Sequence, residues 1–335
     1  MTLAGGPSLE ERIAIDLADG RFHSGQAMAD AHGVSRAAIW KAVRALEARG
    51  VDVHAVAGKG YRLARPVEWL DRERLLAAMG ALAKDRTEEL ELLRSTESTN
   101  RELLAGPAPC SGRGRVCLAE FQTRGRGRHG RPWYSPPGAG LCLSIAWRFD
   151  LPPPRLSSLS LAAGVAVARA LDAKHHRLGL KWPNDLVWRG GKIGGILTEL
   201  TGEAAGATTA IVGVGINHRL PSRLAAETAL AGGLEPADLH QVLGDRLPGR
   251  NRLAARLIEA LLDAFVRFER EGFLPFAQSW RELDVLQGRD VTLTHRDRTV
   301  PGIARGIDMS GALLFEGVDG LVRVHAGDVC LRPAT

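Results

Sequence analysis

The sequence has only four cysteines in 335 residues: Cys110, Cys117, Cys142 and Cys330. No two of them stand as C-x-x-C, which argues against a zinc site or a disulfide framework. No apolar run reaches the about 20 residues that a membrane helix needs. The first residues lack the basic-then-apolar order of a secretory leader. These absences point to a cytoplasmic protein with no membrane step and no tightly bound metal. A strong charge imbalance is missing too. Lys and Arg number 44 against 38 Asp and Glu, a net charge of +6, which permits contact with nucleic acid without requiring it. Hydrophobic residues make up 45% and charged residues 24%, as in ordinary globular proteins. The length exceeds one typical domain, so about two or three are expected.

What the chain does have is a concentration of arginine and glycine at Gln122-Thr123-Arg124-Gly125-Arg126-Gly127-Arg128-His129-Gly130-Arg131-Pro132-Trp133. The glycines allow positive φ and close approach of backbone to a ligand. The arginines offer forked donors suited to phosphate or carboxylate. No helix or strand pattern fits the run, so it is expected to be a mobile loop. Strand-like sequence flanks it at residues 116–121 and 141–147. The residues alone leave two readings open, a lid over an anionic ligand or an arginine-rich arm for nucleic acid.

Residues 1–63 read as a winged helix-turn-helix. Ser8-x-x-Glu11 is a capping box, and Leu9, Ile13 and Leu17 share a helical face. Gly20 ends that helix. Ser24 caps a second helix over residues 25–31, and Ser35 caps a third. In the third, Ile39, Val43 and Leu46 face inward, while Arg36, Trp40 and Arg44, with Lys41 beside them, line the exposed side. A recognition helix presents that side to the major groove. Gly50 stops the helix, and residues 51–63 read as a β-hairpin wing. Residues 1–64 hold eight Lys or Arg and seven Asp or Glu, a net of +1. Clustering on one helix face favours DNA binding over protein contact or dimerisation, which stays the alternative.

Residues 64–66 form a linker. A helix is expected over 72–83 and a strand over 90–93. Ser98-Thr99-Asn100 follows, with Thr99-x-x-Glu102 as a capping box; capping is favoured over ligand binding on these residues alone. Residues 157–173 give a long apolar helix. Lys181-Trp182-Pro183-Asn184-Asp185 makes a corner able to aim Asn184 and Asp185 into a cleft. Residues 186–200 form a hairpin with Lys192 just past its turn, where a solvated lysine is the ordinary expectation. Residues 209–217 form another strand. Gly194, Gly195, Gly213 and Gly215 fall where adjacent strands let a flat ligand approach the backbone. Residues 218–250 read as a loop with short helices. Leu253, Leu257, Leu261 and Phe265 mark an amphipathic helix over 252–271, and a shorter helix covers 276–283. Short strands near 291–294, 300–304, 312–315, 321–324 and 329–331 suggest a small β-barrel.

Taken together, several motifs make the chain resemble the bifunctional biotin protein ligase and biotin operon repressor family. They are Glu97-Ser98-Thr99-Asn100, the run from Gly125 to Arg131, Lys181-Trp182-Pro183-Asn184-Asp185, the runs Gly191 to Leu197 and Gly213 to Asn217, and Arg305-Gly306-Ile307-Asp308. They cover nearly the whole chain. Phe22-His23-Ser24-Gly25, Ser35-Arg36-Ala37-Ala38-Ile39 and Gly58-Lys59-Gly60-Tyr61 extend the likeness to the N-terminal domain.

The resemblance implies an α+β fold in three parts. These are a winged helix-turn-helix DNA-binding domain over 1–64, a central α/β class II synthetase-like catalytic domain over 65–285, and an SH3-like β-barrel over 286–335. It implies activation of biotin by MgATP to biotinyl-5′-AMP, then transfer to a lysine of the biotin carboxyl carrier protein domain of acetyl-CoA carboxylase. It also implies repression at the operator DNA of biotin synthesis genes. A homodimer is expected because one winged helix of net +1 should bind DNA weakly by charge alone, and the adenylate can promote that dimer if the loops it orders border a sheet edge. By match, Ser98, Thr99, Asn100 and Gln122 bind the biotin head group. Arg126, Gly127 and Arg128 line the biotin and phosphate site, with Gly125, Arg131, Gly195, Gly213 and Gly215 completing the surface. Trp133 covers the adenylate, and Lys192 bridges carboxylate and α-phosphate. Asp185 and Asn217 lie on the nucleotide and metal side. Ser35, Arg36, Trp40, Lys41 and Arg44 face DNA; Trp40 departs from family repressors that carry a smaller polar residue. Three rival readings are a ligase whose N-terminal domain does not bind DNA, a ligand-sensing regulator without ligase activity, and a lipoate ligase.

Overall fold

The computed structural model describes residues 8–171, 178–202, 206–221, 234–295, 298–325 and 330–333. The expected helix end at Ala173, part of the 218–250 loop and the strand start at Val329 lie outside the described residues.

Three helices open the chain: α1 (Leu9–Asp16), α2 (Gly25–His32) and α3 (Arg36–Ala48). The Ser8 and Glu11 capping box forms as the sequence indicates. Ser24 and Ser35 cap α2 and α3 through their hydroxyls. Ile13, Leu17, Ile39, Val43 and Leu46 are almost wholly buried and form a separate small core. The wing is the antiparallel pair β1 (Val53–Val56) and β2 (Gly60–Leu63). It starts later than Val51, because the Val51 N–H closes α3 by donating to the Leu46 carbonyl.

Residues 72–83 do not make one helix. They break into α4 (Arg72–Ala78) and α5 (Ala81–Asp85). Gly80 sits extended between them, and its N–H donates to the Glu259 carboxylate. Glycine is a poor helix former, and an outside acceptor makes the break stable.

The centre is a seven-stranded sheet in the order β3-β4-β5-β9-β8-β7-β6. Its strands are β3 (Thr87–Thr96), β4 (Gly114–Gln122), β5 (Gly140–Phe149), β6 (Gly179–Lys181), β7 (Asp185–Trp188), β8 (Gly191–Gly202) and β9 (Thr208–Asn217). Only β3 and β4 run parallel. α6 (Thr99–Ala105) carries the chain from β3 back to β4. α7 (Leu159–Leu171) starts after a 3-10 turn, two residues later than expected. The Ser157 hydroxyl is occupied with the Ser310 carbonyl instead.

α8 (Leu239–Leu243), α9 (Arg250–Glu271) and α10 (Leu274–Leu283) follow. α9 buries Leu253, Leu257, Leu261 and Phe265, and its Phe265 and Phe268 pack on Trp147 and Phe149 of β5. A buried ion pair joins α9 to the sheet: Arg250 Nη1 is 2.8 Å from Glu120 Oε2. Arg250 also donates to the Gly140 and Glu68 carbonyls.

The last part is a five-stranded antiparallel sheet, β13-β12-β11-β10-β14. Its strands are β10 (Asp290–His295), β11 (Arg298–Ile307), β12 (Leu313–Gly317), β13 (Gly320–Val324) and β14 (Cys330–Pro333). It docks through the Gly311 turn, whose carbonyl accepts the Trp182 indole N–H at 3.0 Å. Among the described residues no helix is long and apolar enough to cross a membrane.

Candidate active site

Strand register assembles the site. Cys142 and Ser144 of β5 stand opposite Gly215 and Gly213 of β9, and these in turn stand opposite Gly195 and Leu197 of β8. The glycines leave a floor without side chains. A Cβ on Gly213 would come 2.2 Å from Asn100 Oδ1, and one on Gly215 would come 2.5 Å from Trp133 Cε2. The bare backbone is therefore used at once: the Asn100 amide and the Trp133 indole lie on it. A Cβ on Gly195 would meet Lys192 Nζ at 3.4 Å.

Ser98, Thr99 and Asn100 are all buried at the start of α6. They do not form the expected cap. Ser98 makes no capping bond, and Glu102 takes the Thr96 hydroxyl. The Thr99 N–H donates to Gln122 Oε1 at 2.8 Å, and its hydroxyl lies 2.7 Å from Ser144 Oγ. Ser144 donates to Asn100 Oδ1 at 2.6 Å, and Asn100 Nδ2 donates to Glu199 at 2.7 Å. Side chains with short reach are spent on one another and on the sheet, which forms a polar end to the cleft.

The other end is charged. Lys192 Nζ and Asp185 Oδ1 are 2.6 Å apart. Lys192 also lies 5.8 Å from the Trp133 ring centre. Asn217 is buried and donates to the Lys192 and Ala237 carbonyls at 3.2 and 2.9 Å. It fixes the backbone that carries Lys192. Asn184 does not point into the cleft: its amide donates to the Ile196 carbonyl at 2.7 Å.

The arginine-glycine run closes as a hairpin rather than an irregular loop. Gly127 N–H donates to Arg131 at 2.7 Å and Trp133 N–H to Gly125 at 2.8 Å, around a 3-10 turn over Arg128–Gly130. Arg126 and Arg131 are exposed and Arg128 is half-buried. Cys142 beneath Trp133 has its thiol pushed up to about 11 by burial, with Ser135 opposing. It stays protonated and is no nucleophile.

Ser144 and Glu199 belong to the cleft, and sequence reading passed over both. Ser144 carries a faint signal: it is polar in the apolar strand 141–147. A cavity of about 490 Å³ lies elsewhere, at the opposite end of β5 and β9 beside Arg148 and Ile211. It holds none of these groups. Among the described residues no cluster of three metal-ligating side chains occurs.

On α3, Arg36, Trp40, Lys41 and Arg44 are exposed. Arg44 packs 5.4 Å from the Trp40 ring centre and pairs with Glu47 at 2.8 Å. Ser35 uses its hydroxyl on the Ala38 N–H.

A winged helix, a sheet with a Lys-Asp cleft under a basic hairpin, and a small β domain define a class: ligases of the biotin and lipoate type that carry a helix-turn-helix. The family descriptions agree. The Biotin/lipoate A/B protein ligase family matches residues 92–217, an HTH domain 13–62 and the Biotin protein ligase C terminal domain 287–332. The bifunctional ligase/repressor BirA of Salmonella typhimurium is 39% identical over 95% of this chain and 96% of its own length. That of Bacillus subtilis is 32% identical over 93% and 94%. A biotin protein ligase from Aquifex aeolicus, solved with biotin and ATP, shares the fold at TM-score 0.60 and 24% identity, over 74% of this chain and 100% of that one. The chain belongs to the BirA family of bifunctional ligase/repressors.

Proposed function

We propose that the cleft joins biotin to AMP and passes the biotin to a protein lysine. The chain is an ATP-dependent, AMP-forming biotin protein ligase and a DNA-binding repressor. The carrying observation is Lys192: a cation paired with Asp185, beside Trp133, at one end of a glycine floor whose other end is polar. A head group with N–H and C=O groups sits against Ser98, Thr99, Asn100 and Gln122, and its carboxylate reaches Lys192. ATP brings Mg²⁺ as its own counter-ion, and Asp185, paired with Lys192, is the carboxylate assigned to that side.

The chemistry needs two anions to meet. A biotin carboxylate oxygen attacks the α-phosphorus, the bond to the β-phosphate oxygen breaks, and pyrophosphate leaves. Lys192 neutralises both the incoming carboxylate and the α-phosphate, and Arg126 and Arg128 add positive charge from the hairpin. Fixed charges in a cleft act without reorganising at the moment of reaction. A lysine amine of the carrier then attacks the acyl carbon of the mixed anhydride, and AMP leaves. Trp133 and the hairpin keep water away from that anhydride.

The carrier is the biotin carboxyl carrier protein domain of acetyl-CoA carboxylase, and both it and operator DNA place the reaction in the cytoplasm. The domains run over 1–64, 65–285 and 286–335. Ser35, Arg36, Trp40, Lys41 and Arg44 face the operator, bound by two copies of the chain. The test is ATP–pyrophosphate exchange with biotin or lipoate, followed by transfer of labelled biotin to the carrier. Exchange that depends on lipoate but not on biotin overturns the reading, as does absence of transfer.

A further inference from the structure

We infer that Glu199 sets the hydrogen-bond direction of the whole polar end, so that the cleft selects a ligand presenting N–H groups there. The inference rests on biotin being the substrate. Asn100 Nδ2 lies 2.7 Å from Glu199 Oε2 and 3.5 Å from the Leu197 carbonyl. An ionised carboxylate and a carbonyl only accept. The NH₂ of Asn100 must therefore sit on that side, and Oδ1 on the other. Oδ1 accepts the Ser144 hydroxyl proton across 2.6 Å. Ser144 has one proton to give. With it committed to Asn100, the 2.7 Å contact between Ser144 and Thr99 needs the Thr99 proton. Gln122 Oε1, at 3.1 Å, is the longer alternative for that proton.

Gln122 is fixed by the same logic. Its Oε1 accepts the Thr99 backbone N–H at 2.8 Å, which turns Nε2 toward Gly125. The hydroxyl protons thus run in one direction, from Thr99 through Ser144 to Asn100, whose NH₂ ends on Glu199. Thr99 Oγ1 is left with a lone pair for the ligand, and Gln122 Nε2 with a donor. A cyclic urea offers the matching pair, ring N–H groups and a carbonyl oxygen. Glu199 touches no ligand in this account; it is a positioning residue.

Glu199→Gln is nearly isosteric but can present an NH₂ to Asn100. The amide can then turn and the chain of protons reverse, so that Thr99 points a donor at the ligand N–H. Ser144→Ala cuts the same chain in its middle and removes one atom. Each variant, as full-length protein, is expected to raise KM for biotin about tenfold in pyrophosphate exchange and to leave KM for ATP within about twofold. Because both act through one chain, the double variant loses no more than the worse single one. A general loss of structure would not give that split or that non-additivity. An unchanged biotin KM in either single variant, or additive losses in the double, overturns the proposal. Wild-type protein without biotin-dependent exchange overturns the function itself, which keeps the two failures apart.

Discussion

Lys192 is half-buried and its partner Asp185 balances it. A single cation placed between two anions acts mainly where charge builds up in the transition state. Lys192→Ala is expected to slow biotinyl-adenylate formation roughly 10²–10³-fold. Its melting temperature should stay near wild type, since the pair is partly exposed and surface pairs contribute little. Near wild-type exchange would remove Lys192 from the mechanism. His218 tests stability rather than rate. Burial pushes its imidazole down from 6.5 to about 4, while its Nε2 faces the Pro248 carbonyl at 2.9 Å. The unfolded chain then binds a proton that the folded chain refuses. The contribution is complete above about pH 6.5 and is lost as pH falls toward 4, by roughly 3 kcal/mol at most. His218→Gln keeps a donor and removes that titration. The stability lost between pH 7.5 and 4.5, by urea melts, should shrink in the variant, and an equal loss counts against this reading. Lys192 was singled out only through its family motif, which is local; taken alone it read as a solvated hairpin lysine. Ser144 and Glu199 were not legible, because their partners lie 44 and 99 residues away and only strand register brings them together.

At the scale of elements, most of the fold was readable from periodicity and caps. The three N-terminal helices start at their Ser caps, α2 stops at Gly33 and α3 just before Gly50, whereas α1 passes at Leu17 into a 3-10 turn that runs to Gly20; α9 follows its i, i+4 apolar residues. Three of the misreadings share one cause. The break at Gly80, the late start of α7 and the failed cap at Thr99 all come from acceptors or donors far away in sequence: Glu259, Ser310 and Gln122. Local propensity cannot register such partners. The glycine floor was half readable. That Gly213 and Gly215 admit close approach follows from their lack of Cβ, but what approaches, Asn100 and Trp133, needs the fold. Gly215→Ala forces the Trp133 indole off the floor, since a Cβ there comes within 2.5 Å of Cε2. The expected result is a loss of roughly tenfold to a hundredfold in kcat/KM for biotin, with an unchanged circular dichroism spectrum. Full activity in the variant would show that the ring does not need this seat.

At the scale of the molecule, residues 65–71 are a strap rather than a free linker. Arg65 donates to the Arg219 carbonyl at 2.7 Å, and burial holds its guanidinium below the usual range. Arg250 donates to the Glu68 carbonyl, the Leu70 N–H donates to Glu120, and Asn251 joins Glu68 and Trp69. Both stems of the basic hairpin meet this framework, through Glu120 before it and Gly140 after it. The C-terminal end of α3 lies close by: its cap residue Arg49 is 5.2 Å from the Phe121 ring centre. Removing residues 1–64 should abolish operator binding and leave the ligase part folded, whereas removing 1–71 also strips bonds from a buried ion pair. Each such bond to a charged group contributes roughly 1.5–3 kcal/mol, so the longer cut should lower the urea midpoint clearly further; equal midpoints would refute the strap. The same connections set the conditions for a switch. A winged helix of net charge +1 is expected to bind DNA weakly by charge alone, so we propose that specific binding uses two copies spaced to a palindrome. If the adenylate fixes the hairpin and so favours the dimer, dimerisation must tighten adenylate binding by the same factor. Sedimentation of the protein alone, with biotin, and with biotin plus ATP should show the mass doubling in the last case, together with tighter operator binding. One mass under all three conditions, with operator affinity unchanged, would end the switch. A constant dimer whose DNA affinity still follows the ligand would move the control from assembly to the placing of the two α3 helices.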